Sequence, residues 1–354
     1  MSIARLLARP ELLALAPYRA AHWEPGFVRL HANENPWRAV GDTSAEGLAQ
    51  YPQPIPEAVR ARLADLYQLP ASHVLPTRGA DEGIDLLARA FLAAGRDAAL
   101  ICPPTFGMYA VATRIQGADV VEVPLRSEAD FALDTPAVLS ALADTRIKLL
   151  FLCAPGNPTA TDLAEEDVLA VLRATRDRAL VVLDEAYVEF ADRPSWSTRL
   201  AEFRNLVVLR TLSKAYSLAG ARVGAVLADP SVIDLLERIL PPYSMSTGTI
   251  ESVLRALDPR AIPIARGRIA RLIEERATFA DCLRALPSVL SVGTSATNFL
   301  YVTVRDPAEF ERRASAGGFL LRNFSSGSLT PGALRISLGD HATCMQLLEA
   351  LQTP

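Results

Sequence analysis

The sequence is poor in the residues that build disulfide frameworks and metal centres. Its four cysteines lie at positions 102, 153, 282 and 344, and no two of them form a C-x-x-C pair. This spacing gives no zinc signature and suits a protein of the reducing cytoplasm. Cys102 and Cys153 each end an apolar run, which favours a place in the core.

Long uninterrupted apolar runs are also missing. No segment approaches the ~20 apolar residues that a membrane span requires. The first 20 residues begin as an apolar pattern, but Arg9, Pro10 and Glu11 interrupt it. We therefore expect a mature, amphipathic N-terminal arm rather than a signal peptide, and a soluble protein.

The sequence also lacks any concentration of positive charge. The net charge is -4, from 36 basic and 40 acidic residues, and no long basic block stands out. Nucleic acid is therefore not an obvious partner, and a small ligand fits the sequence better.

Short apolar runs separated by longer helical patterns are what the chain does contain. They read DAALICPP (97–104), RIKLLFLCAP (146–155), RALVVLDEAY (178–187) and NLVVLRTLSK (205–214). Such runs are typical of strands buried on both faces, so they predict an α/β fold with a mostly parallel central sheet flanked by helices. Ligands of such sheets bind beyond the carboxyl ends of the strands, where each run turns polar.

The domain organisation follows from length and from a change of pattern. A chain of 354 residues exceeds the usual size of one core. After residue 245 a charged amphipathic segment is followed by the possible strands TNFLYVTV and GALRISLG. We predict an N-terminal arm (1–28), a large ligand-binding domain (29–245) and a smaller α+β domain (246–354). Which domain the arm joins is left open.

Five polar side chains follow the ends of the apolar runs. Asp184 closes one run, and a carboxylate buried there without a partner would be costly. Tyr187 comes three residues later, Lys214 thirty residues after Asp184, and Arg222 eight residues beyond Lys214. Asn157 lies in the turn APGNPTA. Pyridoxal 5'-phosphate requires such a set: a lysine for its aldehyde, an acid for its ring nitrogen and a cradle for its phosphate.

The segment RGADEGIDLLARAF (78–91) extends the phosphate cradle. It predicts a helix whose first backbone N–H groups, those of Ala80 and Asp81, are free to bind an anion, while Gly79 permits close approach. Further candidates are the hydroxyls of Thr211 and Ser213 and the ring of Phe106, which offers a face for stacking.

Each of these residues also has an ordinary explanation. An aspartate at a strand end commonly caps a helix, the sequence GNP forms an ordinary turn, and an isolated lysine is usually a solvated charge. The ordered set of turn, acid, tyrosine, lysine and arginine, each at the end of an apolar run, favours the cofactor site.

The motifs LHANENP, PPTFGMY, APGNPTA, VVLDEAYVEF, RTLSKAYSLAGARVG and ALRISLG resemble the fold-type I aminotransferases, and among them the histidinol-phosphate aminotransferase family. The resemblance extends from about residue 30 to 340. It implies transfer of an amino group between glutamate and imidazole-acetol phosphate, with 2-oxoglutarate and histidinol phosphate as the products. It also implies a cytoplasmic homodimer in which Tyr51 reaches the partner's site.

The resemblance also implies a role for each residue. Lys214 would bond the cofactor aldehyde and move the proton, Asp184 would pair with the ring nitrogen, and Tyr187 and Asn157 would bind the ring hydroxyl. The phosphate would be held by Ala80, Asp81, Ser213, Arg222 and the partner's Tyr51. The substrate-facing residues it implies are Arg335, Arg322, Tyr18, Asn33 and Tyr243.

Three positions depart from the family pattern: Gly156 stands where Asn is usual, Ala160 where Gly is usual, and Phe106 where Tyr is frequent. Two related enzymes, an aromatic amino acid aminotransferase and a threonine-phosphate decarboxylase, would use the same cofactor apparatus. A non-catalytic binding protein of the same fold is a further alternative, against which the retained Lys214 and Asp184 argue.

Overall fold

The computed structural model describes residues 2–16, 18, 26–45 and 47–352. The α-helices are α1 (Ile3–Leu7), α2 (Pro10–Leu13), α3 (Glu57–Tyr67), α4 (Gly79–Phe91), α5 (Met108–Ile115), α6 (Thr135–Ala141), α7 (Glu165–Ala174), α8 (Pro230–Glu237), α9 (Thr247–Ala256), α10 (Ile262–Arg284), α11 (Pro307–Ala316) and α12 (His341–Gln352). Short 3-10 helices span Ala71–His73, Ser127–Ala129, Val188–Phe190, Trp196–Arg199 and Ala219–Ala221.

Eleven strands among the described residues form two sheets. They are β1 (Val74–Thr77), β2 (Ala98–Ile101), β3 (Asp119–Glu122), β4 (Ile147–Cys153), β5 (Leu180–Asp184), β6 (Leu206–Thr211), β7 (Gly224–Ala228), β8 (Val289–Val292), β9 (Phe299–Val304), β10 (Arg322–Asn323) and β11 (Ala333–Ser337). The large sheet has seven strands in the order β1-β7-β6-β5-β4-β2-β3, and the small sheet has four in the order β10-β11-β9-β8.

One edge of the large sheet collects the ends of its parallel strands. The strands β6, β5, β4, β2 and β3 run parallel, and β7 runs antiparallel to both of its neighbours, β6 and β1. Thr77 and Thr211, the last residues of β1 and β6, both pair with Gly224 at the start of β7. The carboxyl ends of β1, β6, β5, β4 and β2 therefore meet at the same edge, which we call the carboxyl edge.

Helices cover both faces of the large sheet. One face packs against α3, α6, α7 and α9 through apolar side chains such as Leu63, Val171 and Val253. The other face packs against α4, α5 and α8 and against the N-terminal arm, to which Ile3 and Leu7 belong. The first part of the arm thus joins the large sheet, the point that the sequence left open.

The small sheet is antiparallel and has a core of its own. Helices α10, α11 and α12 pack on it through residues such as Phe279, Phe310 and Leu347. Its central strands, β9 and β11, correspond to the two strands expected from TNFLYVTV and GALRISLG. The prediction of a mostly parallel sheet flanked by helices, with a smaller α+β part, is confirmed.

Some elements were not predicted, and their composition explains why. Pro76 lies in β1, where proline is tolerated because β1 is an edge strand paired only with β7. After Lys214 the chain forms a turn, the short 3-10 helix Ala219–Ala221 and then β7. None of the described helices is both long enough and apolar enough to cross a membrane.

Candidate active site

A cavity of about 230 Å³ opens at the carboxyl edge of the large sheet. Most of the residues predicted from sequence to bind a cofactor line it. They are Ala80, Asp81, Phe106, Asn157, Asp184, Tyr187, Thr211, Ser213, Lys214 and Arg222, and Arg335 reaches it from the small sheet. The strand ends therefore bring together side chains that lie more than 250 residues apart in the chain.

Asp184, the last residue of β5, is a buried carboxylate at the base of the cavity. Its Oδ2 accepts a 2.7 Å hydrogen bond from the hydroxyl of Tyr109, and its Oδ1 accepts one of 3.1 Å from the backbone N–H of Ala186. Because both donors are neutral, they only partly offset burial, which raises the pKa of Asp184 from 3.8 to about 6. A cationic group in the cavity would stabilise the charged form.

Lys214 lies in the loop that connects β6 to β7. The hydrogen bond from Leu212 N–H to the Val223 carbonyl, 2.9 Å long, closes this loop at its base. The Lys214 amine lies 5.8 Å from the centre of the Tyr187 ring. Burial, together with the positive charges of Arg335 and Arg222, lowers the pKa of Lys214 below its ordinary value. At a given pH this shift increases the fraction of the neutral amine, which is the nucleophilic form.

Arg222 ends the same loop and points toward the start of α4. Its Nη2 donates to Asp81 Oδ2 at 2.8 Å, and its Nη1 donates to Ser213 Oγ at 3.3 Å. Thr211 supports the arrangement, because its hydroxyl accepts a 3.1 Å hydrogen bond from Ser213 N–H. Two hydroxyls and a guanidinium thus face the first turn of α4.

The first turn of α4 is held very close to this loop. A Cβ on Gly79 would lie 2.8 Å from Arg222 Nη2, and a Cβ on Gly224 would lie 2.7 Å from the Gly79 carbonyl carbon. The Arg78 side chain makes no capping hydrogen bond at the N-cap. The N–H groups of Ala80 and Asp81 therefore have no intrahelical acceptor and are available to an anion.

Asn157 links the cofactor-facing side of the cavity to the small sheet. Its Oδ1 accepts a 2.6 Å hydrogen bond from Arg335 Nη1, and its Nδ2 lies 3.5 Å from the Tyr187 hydroxyl. Burial raises the pKa of Tyr187 above its usual range, so this phenol stays protonated. Two hydrogen bonds thus connect Arg335, Asn157 and Tyr187 at the cavity.

The remaining predicted residues lie outside this cavity in the single chain. Tyr51 is 50% exposed and stacks on Tyr243, with ring centroids 4.8 Å apart. Tyr18 lines a separate groove beside α8, and Asn33 is exposed. Arg322 is exposed. It lies opposite Arg335 in the antiparallel register of β10 and β11, which brings it to the rim of the site.

Sequence reasoning missed Tyr109 and Cys153, which belong to the site. Cys153 ends β4 beside Asp184 and lines the cavity. Tyr109 donates the hydrogen bond to Asp184 described above, from the helix that follows Phe106. The signal was present in the motif PPTFGMY, in which Tyr109 lies three residues after Phe106, but nothing in the sequence alone connects it to residue 184.

Pyridoxal 5'-phosphate fits this donor set. The buried Asp184 lacks a cation in its hydrogen-bonding shell among the described residues, as a partner for a protonated ring nitrogen requires. The uncapped start of α4, where the absence of a side chain on Gly79 lets the Arg222 guanidinium approach closely, suits a phosphate. Lys214 supplies an amine of lowered pKa to the same cavity.

Comparison with known proteins agrees with this arrangement. The model of the family described as aminotransferase class I and II matches residues 24–351. The chain is 42% identical over 348 residues to histidinol-phosphate aminotransferase of Stenotrophomonas maltophilia, which covers 98% of this chain and 95% of that protein. It is 38% identical to the enzyme of the same name from Pectobacterium atrosepticum, with 100% of this chain and 98% of that protein covered.

Solved structures confirm the predicted fold-type I architecture. Histidinol-phosphate aminotransferase from Sinorhizobium meliloti, in complex with pyridoxal-5'-phosphate, matches with a TM-score of 0.77 and 24% identity, covering 87% of this chain and 83% of that chain. The enzyme of the same name from Clostridium acetobutylicum matches with a TM-score of 0.78 and 17% identity, covering 86% and 90%. The chain belongs to the class I and II aminotransferase family, among the histidinol-phosphate aminotransferases.

Proposed function

We propose that the protein is a pyridoxal-phosphate-dependent histidinol-phosphate aminotransferase of L-histidine biosynthesis. It would move an amino group between glutamate and imidazole-acetol phosphate. The observation that carries the proposal is the convergence of Lys214, Asp184 and Arg222 with the start of α4 on one cavity. The names of relatives at about 40% identity over nearly the whole chain support the choice of substrates.

The cofactor, when bound, supplies an aldehyde and a ring that withdraws electrons from the substrate Cα. Lys214 would hold the cofactor at its aldehyde and would carry the proton between the substrate Cα and C4'. Its lowered pKa keeps a fraction of the amine neutral for both tasks. The loop closed at Leu212 and Val223 would hold this amine in place.

The other cavity residues would bind and orient. Asp184 would keep the ring nitrogen protonated, and Tyr187 and Asn157 would bind the ring hydroxyl. Phe106 offers its ring for stacking. We assign the phosphate to the N–H groups of Ala80 and Asp81 and to the side chains of Thr211, Ser213 and Arg222. All five residues line the cavity, and Arg222 Nη1 donates to Ser213 Oγ, which supports this assignment.

Two arginines at the rim suit the alternating substrates. Glutamate brings two carboxylates, whereas histidinol phosphate brings a phosphate and no carboxylate. Arg335 reaches the cavity, and Arg322 lies opposite it across the two strands. We propose that Arg335 binds the carboxylate next to the reacting carbon and that Arg322 binds the distal anionic group. Tyr18, Asn33 and Tyr243 are proposed to face the substrate in the assembled enzyme.

We propose that the enzyme is a cytoplasmic homodimer with an arm (1–28), a large domain (29–245) and a small domain (246–354). Tyr51 lies outside the cavity of its own chain and is half exposed, which supports a role in the site of a second copy. In the same region the apolar residues Phe27, Leu30 and Trp37 are 69%, 92% and 76% exposed, which suits a surface covered by a partner.

One experiment tests the function directly. The purified, cofactor-loaded protein is mixed separately with histidinol phosphate, phenylalanine and threonine phosphate, and conversion of the cofactor to its aminated form is followed by absorbance. We expect the largest rate constant with histidinol phosphate. Preference for phenylalanine would identify an aromatic aminotransferase, and release of carbon dioxide from threonine phosphate a decarboxylase. No reaction with any amine would identify a binding protein.

A further inference from the structure

Tyr109 makes the shorter of the two hydrogen bonds to the buried Asp184 carboxylate described above. Its hydroxyl donates a 2.7 Å hydrogen bond to Asp184 Oδ2, and the tyrosine is fully buried. The ring stacks on Phe151, with centroids 5.0 Å apart and planes within 5°, and meets Phe106 edge-on at 5.7 Å. Two aromatic contacts therefore fix the position from which the hydroxyl donates.

The direction of this hydrogen bond is also fixed. Burial raises the pKa of Tyr109 well above its ordinary value, and the neighbouring carboxylate raises it further. The phenol therefore keeps its proton and can only donate to an ionised Asp184. A donor to the charged form of a carboxylate stabilises that form.

Apart from its hydrogen-bond donors, the surroundings of Asp184 mostly destabilise the ionised carboxylate and raise its pKa. Burial disfavours the carboxylate, and the negative charges of Asp81 and Glu185 add to that effect. The hydroxyl of Tyr109 and the backbone N–H of Ala186 oppose it, with Tyr109 the stronger of the two. The other titratable groups that interact with Asp184 are the Cys153 thiol, the Tyr187 phenol and the Lys214 amine.

We propose that Tyr109 is a positioning residue for the cofactor: its hydroxyl holds Asp184 charged and oriented, so that the ring nitrogen stays protonated. The inference rests on the proposed function, because it requires a pyridine ring in the cavity. Tyr109 need not touch the cofactor nitrogen, since it acts through Asp184. Without it, the proton shared by Asp184 and the ring nitrogen would move toward the carboxylate, and the ring would withdraw electrons less strongly.

The test compares two buried Tyr→Phe variants of the cofactor-loaded enzyme. Tyr109→Phe removes the donor to Asp184 and keeps the ring that stacks on Phe151. Tyr67→Phe is the matched control, because the Tyr67 hydroxyl is buried, makes no hydrogen bond among the described residues and does not line the cavity. Protonation of the ring nitrogen is read directly from the 15N NMR shift of ring-labelled pyridoxal phosphate between pH 6 and 9.

We expect Tyr109→Phe to move the 15N signal toward the unprotonated position and Tyr67→Phe to leave it unchanged. Because a hydrogen bond to a charged group is lost, kcat should fall about tenfold while KM for glutamate stays within about twofold. A folded Tyr109→Phe enzyme with the wild-type 15N shift would overturn the proposal.

A second substitution keeps the proposal testable if Tyr109→Phe does not fold. Incorporation of 3-fluorotyrosine at position 109 makes the hydroxyl more acidic and a stronger donor with little change of shape. It should extend the pH range over which the ring nitrogen is protonated, and an unchanged range contradicts the proposal. Wild-type protein that neither binds the cofactor nor transaminates would instead contradict the proposed function, so the two failures are distinguishable.

Discussion

Arg335 and Asn157 are joined by a 2.6 Å hydrogen bond from the guanidinium to the amide oxygen, which ties the small antiparallel sheet to the turn after β4. The Arg335 guanidinium also lies 5.3 Å from the ring centre of Phe299 and 5.6 Å from that of Phe324. These contacts hold the cation in the cavity in a fixed orientation. An anion that binds Arg335 therefore meets a prepositioned partner.

Replacing Arg335 with Gln should weaken the binding of glutamate selectively. We expect kcat/KM for glutamate to fall by about tenfold to a hundredfold, because a bidentate carboxylate contact is lost, while cofactor affinity changes little. Steady-state kinetics and a cofactor titration measure both. Arg284→Gln is the control, since Arg284 is exposed on α10 and bonds to Asp281 three residues away. Equal loss for glutamate and for histidinol phosphate would contradict the assignment to the carboxylate.

Replacing Gly79 with Ala should weaken cofactor binding. Gly79 has a φ of +79°, and its Cβ would lie 2.8 Å from Arg222 Nη2, so Arg222 must move away from the phosphate position. Gly95→Ala is a matched control, because Gly95 has a φ of +68° and open space around its Cβ. Both variants should lose about 1 kcal/mol of stability. Only Gly79→Ala should raise the cofactor dissociation constant, by about tenfold, as measured by fluorescence titration. Equal dissociation constants for the two variants would remove Arg222 from the phosphate site.

Asp184 should make the cofactor-free protein lose stability as the pH rises through 6. Its pKa is raised by burial from 3.8 to about 6, so the folded state binds more protons than the unfolded state between these values. The stabilisation that protonated Asp184 contributes is fully present below its pKa in the unfolded state and is lost above its pKa in the folded state. Between pH 4.5 and 7.5 the free energy of unfolding should therefore fall by about 2 kcal/mol. Urea unfolding of the wild type and of Asp184→Asn at both pH values measures it. The two proteins should differ in pH dependence by that amount, and parallel profiles would refute the raised pKa.

Mixed dimers of two inactive chains should recover activity. A Lys214→Ala chain keeps Tyr51, and a Tyr51→Ala chain keeps Lys214. If Tyr51 serves the partner's site, a dimer of the two holds one intact site with Lys214 from one copy and Tyr51 from the other. Co-expressed and purified heterodimers should reach about half of the wild-type kcat. Activity no higher than that of the Tyr51→Ala homodimer would show that Tyr51 acts within its own chain.

Ala160→Gly should stabilise the protein. Ala160 is buried and has a φ of +67°, a conformation that glycine adopts more readily. We expect a gain of about 0.5–1 kcal/mol, visible as a higher Tm of the cofactor-free protein. Gly156→Ala is the contrasting variant, because its Cβ would lie 2.2 Å from Thr159 Oγ1 and must destabilise the same turn. An Ala160→Gly protein with a lower Tm would contradict the argument.

The parts of the molecule that could be predicted from sequence are those with a local signal. The segments that form β2, β4, β5 and β6 are largely apolar, with Lys148 in β4 and Arg210 in β6 as charged exceptions. Asp184 is the last residue of β5, and Lys214 comes three residues after the end of β6. The parts that could not be predicted depend on distant pairing. The sequence of β7 is an ordinary apolar segment, and only its pairing with β1 and β6 shows its place in the sheet. β1 is difficult to predict because it contains Pro76, a residue that disfavours strands.

Several other residues of the proposed site illustrate the same limit. Tyr109 and Asp184 are 75 residues apart, and only the adjacency of α5 to the end of β5 brings them together. Tyr51, Tyr18, Asn33 and Tyr243 came from family resemblance, and the single chain places none of them in the cavity. Their proposed roles depend on a second copy, which is information that one chain does not carry.

The antiparallel direction of β7 limits which changes in length the chain can tolerate. Because β7 starts at the edge where β6 ends, the eleven-residue stretch 213–223 leaves the cavity and returns to it, and both Lys214 and Arg222 line the cavity. An inserted or deleted residue between them would change the spacing of two anchors at once. Loop-length variation among natural relatives should therefore concentrate elsewhere, on the surface connections at the opposite edge of the sheet.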